Sequence, residues 1–281
     1  MKITTEHTFN VDEKEWDKNI RQIESSTAFQ SARNFIPYEQ AFNSRPIFLT
    51  TTDSKGKILL QLSAVIHENV DVVSEGLFQK FFSKIKTGKI LYWNYGPIIH
   101  DHENHNAILE NALEKIDQIA LNEGISTIKG TSPILKKSTW EQSFQKFDYD
   151  LQPWDTWVTD LQQNKDILYK SLHNKTRYDI RKGEKNNLSF EIVNDRETID
   201  EWMNIKFSNR KNKDSIIKRL EKFNDSTWEI LYKSGLEKMY LTRKDDELVS
   251  GIANKLFNNN VVQHSIINST KTKLQGGSYL T

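Results

Sequence analysis

The sequence predicts an α/β chain of two domains, each built on a mixed, largely antiparallel sheet flanked by helices. Three observations carry this. At 281 residues the chain exceeds one typical core and suits two domains of ordinary size. The stretch ENHNAILENALEKIDQIALNEG (103–124) sets Ile108, Leu109, Ala112, Leu113, Ile116, Ile119 and Ala120 on one helical stripe, closed by Gly124. Both halves offer helices, then strands in hairpin or meander order, then a strand running toward a glycine-containing turn. The boundary falls near Asp150, giving domains 1–150 and 151–281.

In the first domain, DEKEWDKNIRQIE (12–24) spaces Trp16, Ile20 and Ile23 helically, with Asp12 as N-cap. SARNFIPYEQAF (31–42) is a second short helix interrupted near Pro37. RPIFLTTT and KILLQLSAVIHENV, joined by a Ser-Lys-Gly turn, form a hairpin. EGLFQKFFSKI (75–85) reads as helix, and KILYWNYGPII (89–99) as a strand stopped by Gly96-Pro97. The long helix follows, then the strand and turn ISTIKGTSPIL (125–135).

In the second domain, WDTWVTDL (154–161) reads as a strand and NKDILYKSLHNKTRYDIRKGEKNN (164–187) as one or two helices. LSFEIV is a strand, DRETIDEWMNIKFSNRK and KDSIIKRLEKF are helices, and KMYLTRK, ELVSGIANKLF and NNVVQHSIIN are three consecutive antiparallel strands. The sequence stops at KTKLQGGSYLT, which reads as the start of a helix. The second domain is therefore expected to lack its last helix and strand and to be truncated.

Composition narrows the function classes. Hydrophobic content of 36% with seven tryptophans and fourteen phenylalanines is enough to fill cores, which excludes the disordered class. No apolar run approaches the roughly 20 residues of a membrane span, and MKITTEHTFN lacks the apolar stretch of a signal peptide, so a cytoplasmic location is expected. With no cysteine there is no disulfide, thiol nucleophile or thiolate metal site. The net charge of +1 hides a basic middle: residues 165–222 carry 15 basic and 10 acidic side chains, against 17 and 22 in residues 1–164. That local excess suits a partner with a few phosphates or carboxylates, and a DNA track is not expected.

Three stretches, in this order, resemble the Fem-type aminoacyltransferases, which are tandem acetyltransferase-like (GNAT-like) domains. They are TAFQSARNF (27–35), similar to the family's Gln-Ser element, and YWNYGPII (92–99), similar to its Tyr-Gly-Pro strand end. The most specific is WVTDLQQNKDILYKSLHNKTRYDIRKGEKNNLSFEI (157–192), similar to the family's strand, helix and Arg-x-x-Ile-Arg-Lys-x-Glu-Lys run. EWMNIKFSNR (201–210) fits a helix that ends near an arginine. The resemblance implies transfer of an acyl or aminoacyl group to an amine acceptor, a peptidoglycan-precursor peptide among the candidates, in cell-wall biogenesis. It implies an aminoacyl-tRNA or acyl-CoA donor, charged tRNA as a partner, an anionic small-molecule or peptide acceptor, and no required cofactor. The family's early substrate-binding lysine has Tyr38 near its place. Alternatives are a CoA-dependent GNAT N-acetyltransferase and a non-catalytic nucleic-acid or partner-binding protein on a decayed GNAT fold.

Candidate residues follow. Arg177 and Arg181 are i and i+4 on one helix, so their guanidinium groups share a side and could clamp a phosphate or carboxylate. The alternative is a solvated helix in which Arg181 pairs with Glu184. Tyr95, before the Gly-Pro break, either lines the acceptor side, as the resemblance implies, or is a half-buried core tyrosine. Arg210 closes its helix as a dipole partner or, by the resemblance, binds substrate. Lys273, Gly276 and Ser278 partly match an acetyltransferase pyrophosphate loop and are the candidate CoA contacts. HDHENH (100–105) fits a helix start better than a metal site, with Asp101 or Asn104 as cap. His264, in VVQHSII, is either a general base or a satisfied core histidine.

Overall fold

The computed structural model describes residues 2–68, 88–100, 103–133, 140–153, 155–193, 195–207 and 221–268. The chain divides into two compact units, Met1–Pro153 with Phe257–Asn260, and Trp154–Leu256 with Val261–Thr281.

The first unit begins with a strand that the sequence reading did not anticipate. β1 (Ile3–Thr8) pairs antiparallel with β2 (Arg45–Asp53). Its sequence, ITTEHT, holds one large apolar residue, so no hydrophobic alternation marks it. Besides Ile3, which packs on the core, polar contacts tie it down: the buried Thr5 hydroxyl lies 2.8 Å from that of Thr51 and donates to Asn111 Oδ1 at 2.7 Å. Helix α1 (Glu13–Ile20) starts where the Asp12 carboxylate accepts from the Glu15 amide at 2.9 Å, and it buries Trp16 and Ile20. Helix α2 (Ile36–Phe42) is shorter than expected, because Pro37 fits only its first turn, where no amide hydrogen is needed.

Strands β2 and β3 (Ile58–His67) form the expected hairpin, closed by Gly56 at φ 79° and by the Asp53 carboxylate, which accepts from the Lys55 and Lys57 amides. The predicted strand 89–99 becomes two short ones, β4 (Lys89–Trp93) and β5 (Ile98–Ile99), both antiparallel to β3. The predicted helix 75–85 lies outside the described residues. Helix α3 (His105–Glu123) buries every residue of its predicted stripe, and Gly124 ends it in the left-handed conformation. Asn104 holds the N-cap position without a side-chain cap bond, and Asp101 lies outside the described residues. Strand β6 (Ile125–Gly130) joins β4 in parallel, giving the order β1-β2-β3-β4-β6 with β5 beside β3. The α3 stripe packs on Ile47, Leu49, Leu60, Leu62 and Leu91 to form the core, and helix α4 (Glu141–Lys146) follows. Burying one such aliphatic side chain stabilises by about 1.5–3 kcal/mol.

In the second unit the predicted strand at 154–161 does not form among the described residues. No described strand pairs with it, and Trp157 is 99% exposed. Strand propensity measures fit to a pleated, half-buried surface, and it has no effect where no partner strand is offered. Residues 164–187 form two helices, α5 (Lys165–Ser171) and α6 (Asn174–Lys185), and His173 caps the second by accepting from the Lys175 amide at 3.2 Å. After β7 (Ser189–Ile192) and α7 (Arg196–Phe207) comes a wide helical turn, Thr227–Tyr232. The expected three-strand meander then follows: β8 (Glu237–Lys244), β9 (Glu247–Phe257) and β10 (Asn260–Asn268), in the order β10-β9-β8-β7. Both of its turns have two residues at positive φ, Asp245-Asp246 and Asn258-Asn259, whose twist matches tight hairpins. Trp202, Met239, Leu241, Leu248 and Ala253 form the core of this unit. The sequence end, where a missing helix and strand are expected, lies outside the described residues.

Candidate functional site

Two of the sequence motifs meet in one corner of the first unit. Val65 of β3 faces Tyr92 of β4, whereas Gln61 faces Ile98 of β5. Four steps along β3 thus oppose six on its neighbour, and the two extra residues push the chain out between Trp93 and Pro97. Ser63, at the middle of the gap, loses its strand partner on that side. The side chain of Gln30 fills the place. Its Oε1 accepts from the Ser63 amide at 2.9 Å, and its Nε2 donates to the carbonyls of Ser63 at 3.2 Å and Asn94 at 2.6 Å. A buried amide that meets both backbone groups of Ser63 acts as a substitute strand residue. Gln30 is itself held, since the Trp16 indole donates to its carbonyl at 2.9 Å.

Tyr95 stands on the excursion at φ 51°, a left-handed conformation costly for a non-glycine residue. Its amide donates to Thr131 Oγ1 at 2.8 Å, the Gly96 amide donates to the Thr131 carbonyl at 3.0 Å, and the Trp93 indole donates to the Gly96 carbonyl at 3.2 Å. The Gly96–Pro97 peptide is cis. A Cβ on Gly96 would lie 2.6 Å from Gln30 Nε2 and 2.8 Å from Leu62, so only glycine lets the corner close. The half-buried Tyr95 ring rests 5.1 Å from Phe29, and burial pushes its phenol above the ordinary range. Tyr92, also raised by burial, donates to Asn94 Oδ1 at 2.5 Å. The corner is therefore rigid and neutral, with a tyrosine at its tip.

Behind it lies a pair that sequence reasoning missed. Ser44 Oγ and His67 Nδ1 are 2.7 Å apart and both residues are buried, with the Tyr38 ring 6.0 Å and the Tyr92 ring 6.5 Å from the imidazole. Burial lowers His67 to about 4, so it is neutral near pH 7. Its position on a strand with almost every residue buried was the available signal.

Arg177 and Arg181 do share a side of α6, and that side faces α5. The Arg177 guanidinium donates to the Lys170 and Leu172 carbonyls, the latter at 2.9 Å, and to Asn174 Oδ1. It thereby caps the open C-terminal end of α5. Arg181 reaches the Tyr169 hydroxyl at 3.4 Å rather than Glu184. Arg210, Lys273, Gly276 and Ser278 lie outside the described residues, as does His102. Among the described residues no group of three or more His, Asp or Glu side chains could hold a metal ion.

Elsewhere in the second unit, charge is buried where the sequence reading saw only His264. Glu237 and Lys255 face each other across β8 and β9, with Oε2 and Nζ 3.0 Å apart, and His264 Nε2 lies 3.0 Å from Glu237 Oε1. Strand parity was the missed signal. Glu237 alternates with the buried Met239 and Leu241, and Lys255 with Ala253 and Phe257, which puts both on the core face.

No family model matches the chain, and no curated protein matches it. Among solved structures, FemX matches with a TM-score of 0.63 at 12% identity, covering 95% of this chain and 81% of its own. A conserved protein of Bacteroides thetaiotaomicron aligns at 8% identity and TM-score 0.48, over 97% of this chain and 82% of its own. The Fem-like fold read from the sequence is the fold this chain has. Among the described residues, no helix is long and apolar enough to cross a membrane.

Proposed function

We propose that this chain is an acyl- or aminoacyltransferase that forms an amide on an amine acceptor, a peptidoglycan-precursor peptide being the candidate acceptor that the Fem resemblance suggests. The observation that carries this reading is the FemX fold along 95% of the chain. Supporting it, the Gln30 and Tyr95 motifs that resemble the Fem family interlock in one corner. In this reading Tyr95 touches the acceptor, and its ring against Phe29 and its amide on Thr131 hold it in place. Arg181 and Arg210 hold anionic groups of the substrates. Arg177 fixes α6 against the end of α5 and so sets the direction of Arg181. The donor is an aminoacyl-tRNA, for which the basic middle segment supplies charge, or an acyl-CoA met by Lys273, Gly276 and Ser278. Rate enhancement comes chiefly from holding an amine beside an activated ester.

The test is direct. The chain is incubated with alanyl-tRNA or acetyl-CoA and a lysine-bearing precursor peptide, and the peptide is weighed by mass spectrometry. Gain of an alanyl or acetyl group on the amine is expected with one donor. An unchanged peptide with both donors overturns the reading.

A further inference from the structure

Exposed apolar surface is unevenly distributed over the chain. Of the twelve large apolar side chains exposed among the described residues, ten belong to the second unit. One group lies in the segment 155–161, where Trp157 is 99%, Leu161 61% and Val158 57% exposed. Scattered exposed apolar residues are ordinary, but three within five positions, one of them a fully exposed tryptophan, mark an interaction site. The segment has strand composition and pairs with no strand among the described residues.

A second group lies at the β7 end of the second sheet. β7 pairs with β8 along one edge, and among the described residues no strand pairs with its other edge. Phe190 and Ile192 are about half exposed and share a face with Tyr240, whose ring stacks on that of Phe190 at 5.8 Å. Toward the middle of the sheet the same face is closed, since Thr242 and its partner Ser250 are fully buried. The apolar surface is thus open only where the backbone edge is open too, which is the arrangement that accepts an added strand.

The two groups match in pattern and in charge. As a strand, the segment sets Asp155, Trp157, Thr159 and Leu161 on one face. Laid along β7, Trp157 and Leu161 extend the face of Phe190, Ile192 and Tyr240, and Asp155 comes to the face that carries the exposed Lys238. Residues 151–164 hold two aspartates and no basic residue. Helix α6, which leads into β7, holds five basic and two acidic residues, with Lys175, Arg181 and Lys185 exposed. An acidic, tryptophan-bearing strand therefore meets a basic, apolar edge. We propose that the occupant of the β7 edge is the segment 155–161 of a second copy of this chain. Each copy gives one segment and receives one, so the contact is isologous and closes as a two-fold dimer.

The experiment measures the mass of the full chain in solution by light scattering over a range of concentrations. The wild type is expected at twice the 32.9 kDa of one chain. Trp157→Ser with Val158→Asp, and separately Phe190→Asp, are each expected to weaken the dimer about 100-fold or more, with an unchanged circular dichroism spectrum. The absence of cysteine gives an independent readout. A chain with Val158→Cys is mixed with one carrying Ser189→Cys and treated with a short bifunctional maleimide. A covalent pair of the two chains is expected, and much less of it when Leu121→Cys replaces Ser189→Cys. A monomeric wild type at the highest concentration overturns the inference, as does a dimer that survives both sets of changes. A chain carrying Val158→Cys and Ser189→Cys together that bridges within a single copy overturns it too, by placing its own segment on β7.

Discussion

The side chain of Gln30 supplies the backbone of Ser63 with the partner that β4 withdraws from it, through hydrogen bonds of 2.9 and 3.2 Å. The same amide ties down Asn94 and, through the close approach of Gly96, fixes the turn that carries Tyr95.

Replacing Gln30 by leucine keeps the volume and removes all three bonds. Buried backbone groups at Ser63 and Asn94 then lack a partner, which costs about 1–3 kcal/mol for each group left unsatisfied. The expected loss is about 3 kcal/mol or more, read as a lower urea midpoint with an unchanged slope. A change under about 0.5 kcal/mol would mean that the corner does not depend on Gln30.

His67 makes stability depend on pH in a defined direction. Its folded value of about 4 lies below the ordinary value of 6.5, so between these limits the unfolded chain binds the proton and the folded chain does not. Its contribution is complete above about pH 6.5 and is lost progressively as the pH falls toward about 4. Over the whole window it amounts to about 3 kcal/mol. Denaturant titrations at several pH values check this, and His67→Gln is expected to flatten the slope in that window.

Arg177 and Arg181 are expected to separate in their effects. Arg177→Ala uncaps α5 and should lower stability by about 1 kcal/mol, while Arg177→Lys recovers little, because a single ammonium cannot span the carbonyls of Lys170 and Leu172. Arg181→Ala should leave stability within about 0.5 kcal/mol and raise KM for the anionic substrate about tenfold. Unchanged KM in Arg181→Ala would remove it from the site.

Glu237 and Lys255 should show strong coupling. Glu237→Ala leaves a buried ammonium without its carboxylate and is expected to cost about 3–5 kcal/mol. The pair Glu237→Leu with Lys255→Met removes both charges and should cost clearly less than the sum of the single changes. Additive losses in a double-mutant cycle would contradict the pairing at 3.0 Å.

Much of the fold was legible because apolar periodicity reports burial. The α3 stripe from Ile108 to Ala120 and the three-strand meander after Glu237 are read directly from spacing. Where the reading failed, tertiary context decided. β1 is held by Thr5 on Thr51 and Asn111 with Ile3 as its one core contact, and WDTWVTDL has strand composition but no partner strand among the described residues. At the candidate site, sequence pointed to Gln30 and Tyr95 as separate motifs. That they interlock depends on two extra residues opposite β3, a register no local pattern encodes. The Arg177 cap was equally hidden, because charge spacing gives the face of a helix and not what packs against it.

The most direct measurement of the central claim is the steady-state kinetics of amide formation on the lysine-bearing peptide, comparing the wild-type chain with Tyr95→Ala. If the chain is an acyl- or aminoacyltransferase that meets its acceptor at Tyr95, the wild type turns over and the variant shows a peptide KM raised about tenfold or more. Absence of turnover by the wild type with either donor, or an identical peptide KM in the variant, would contradict the account.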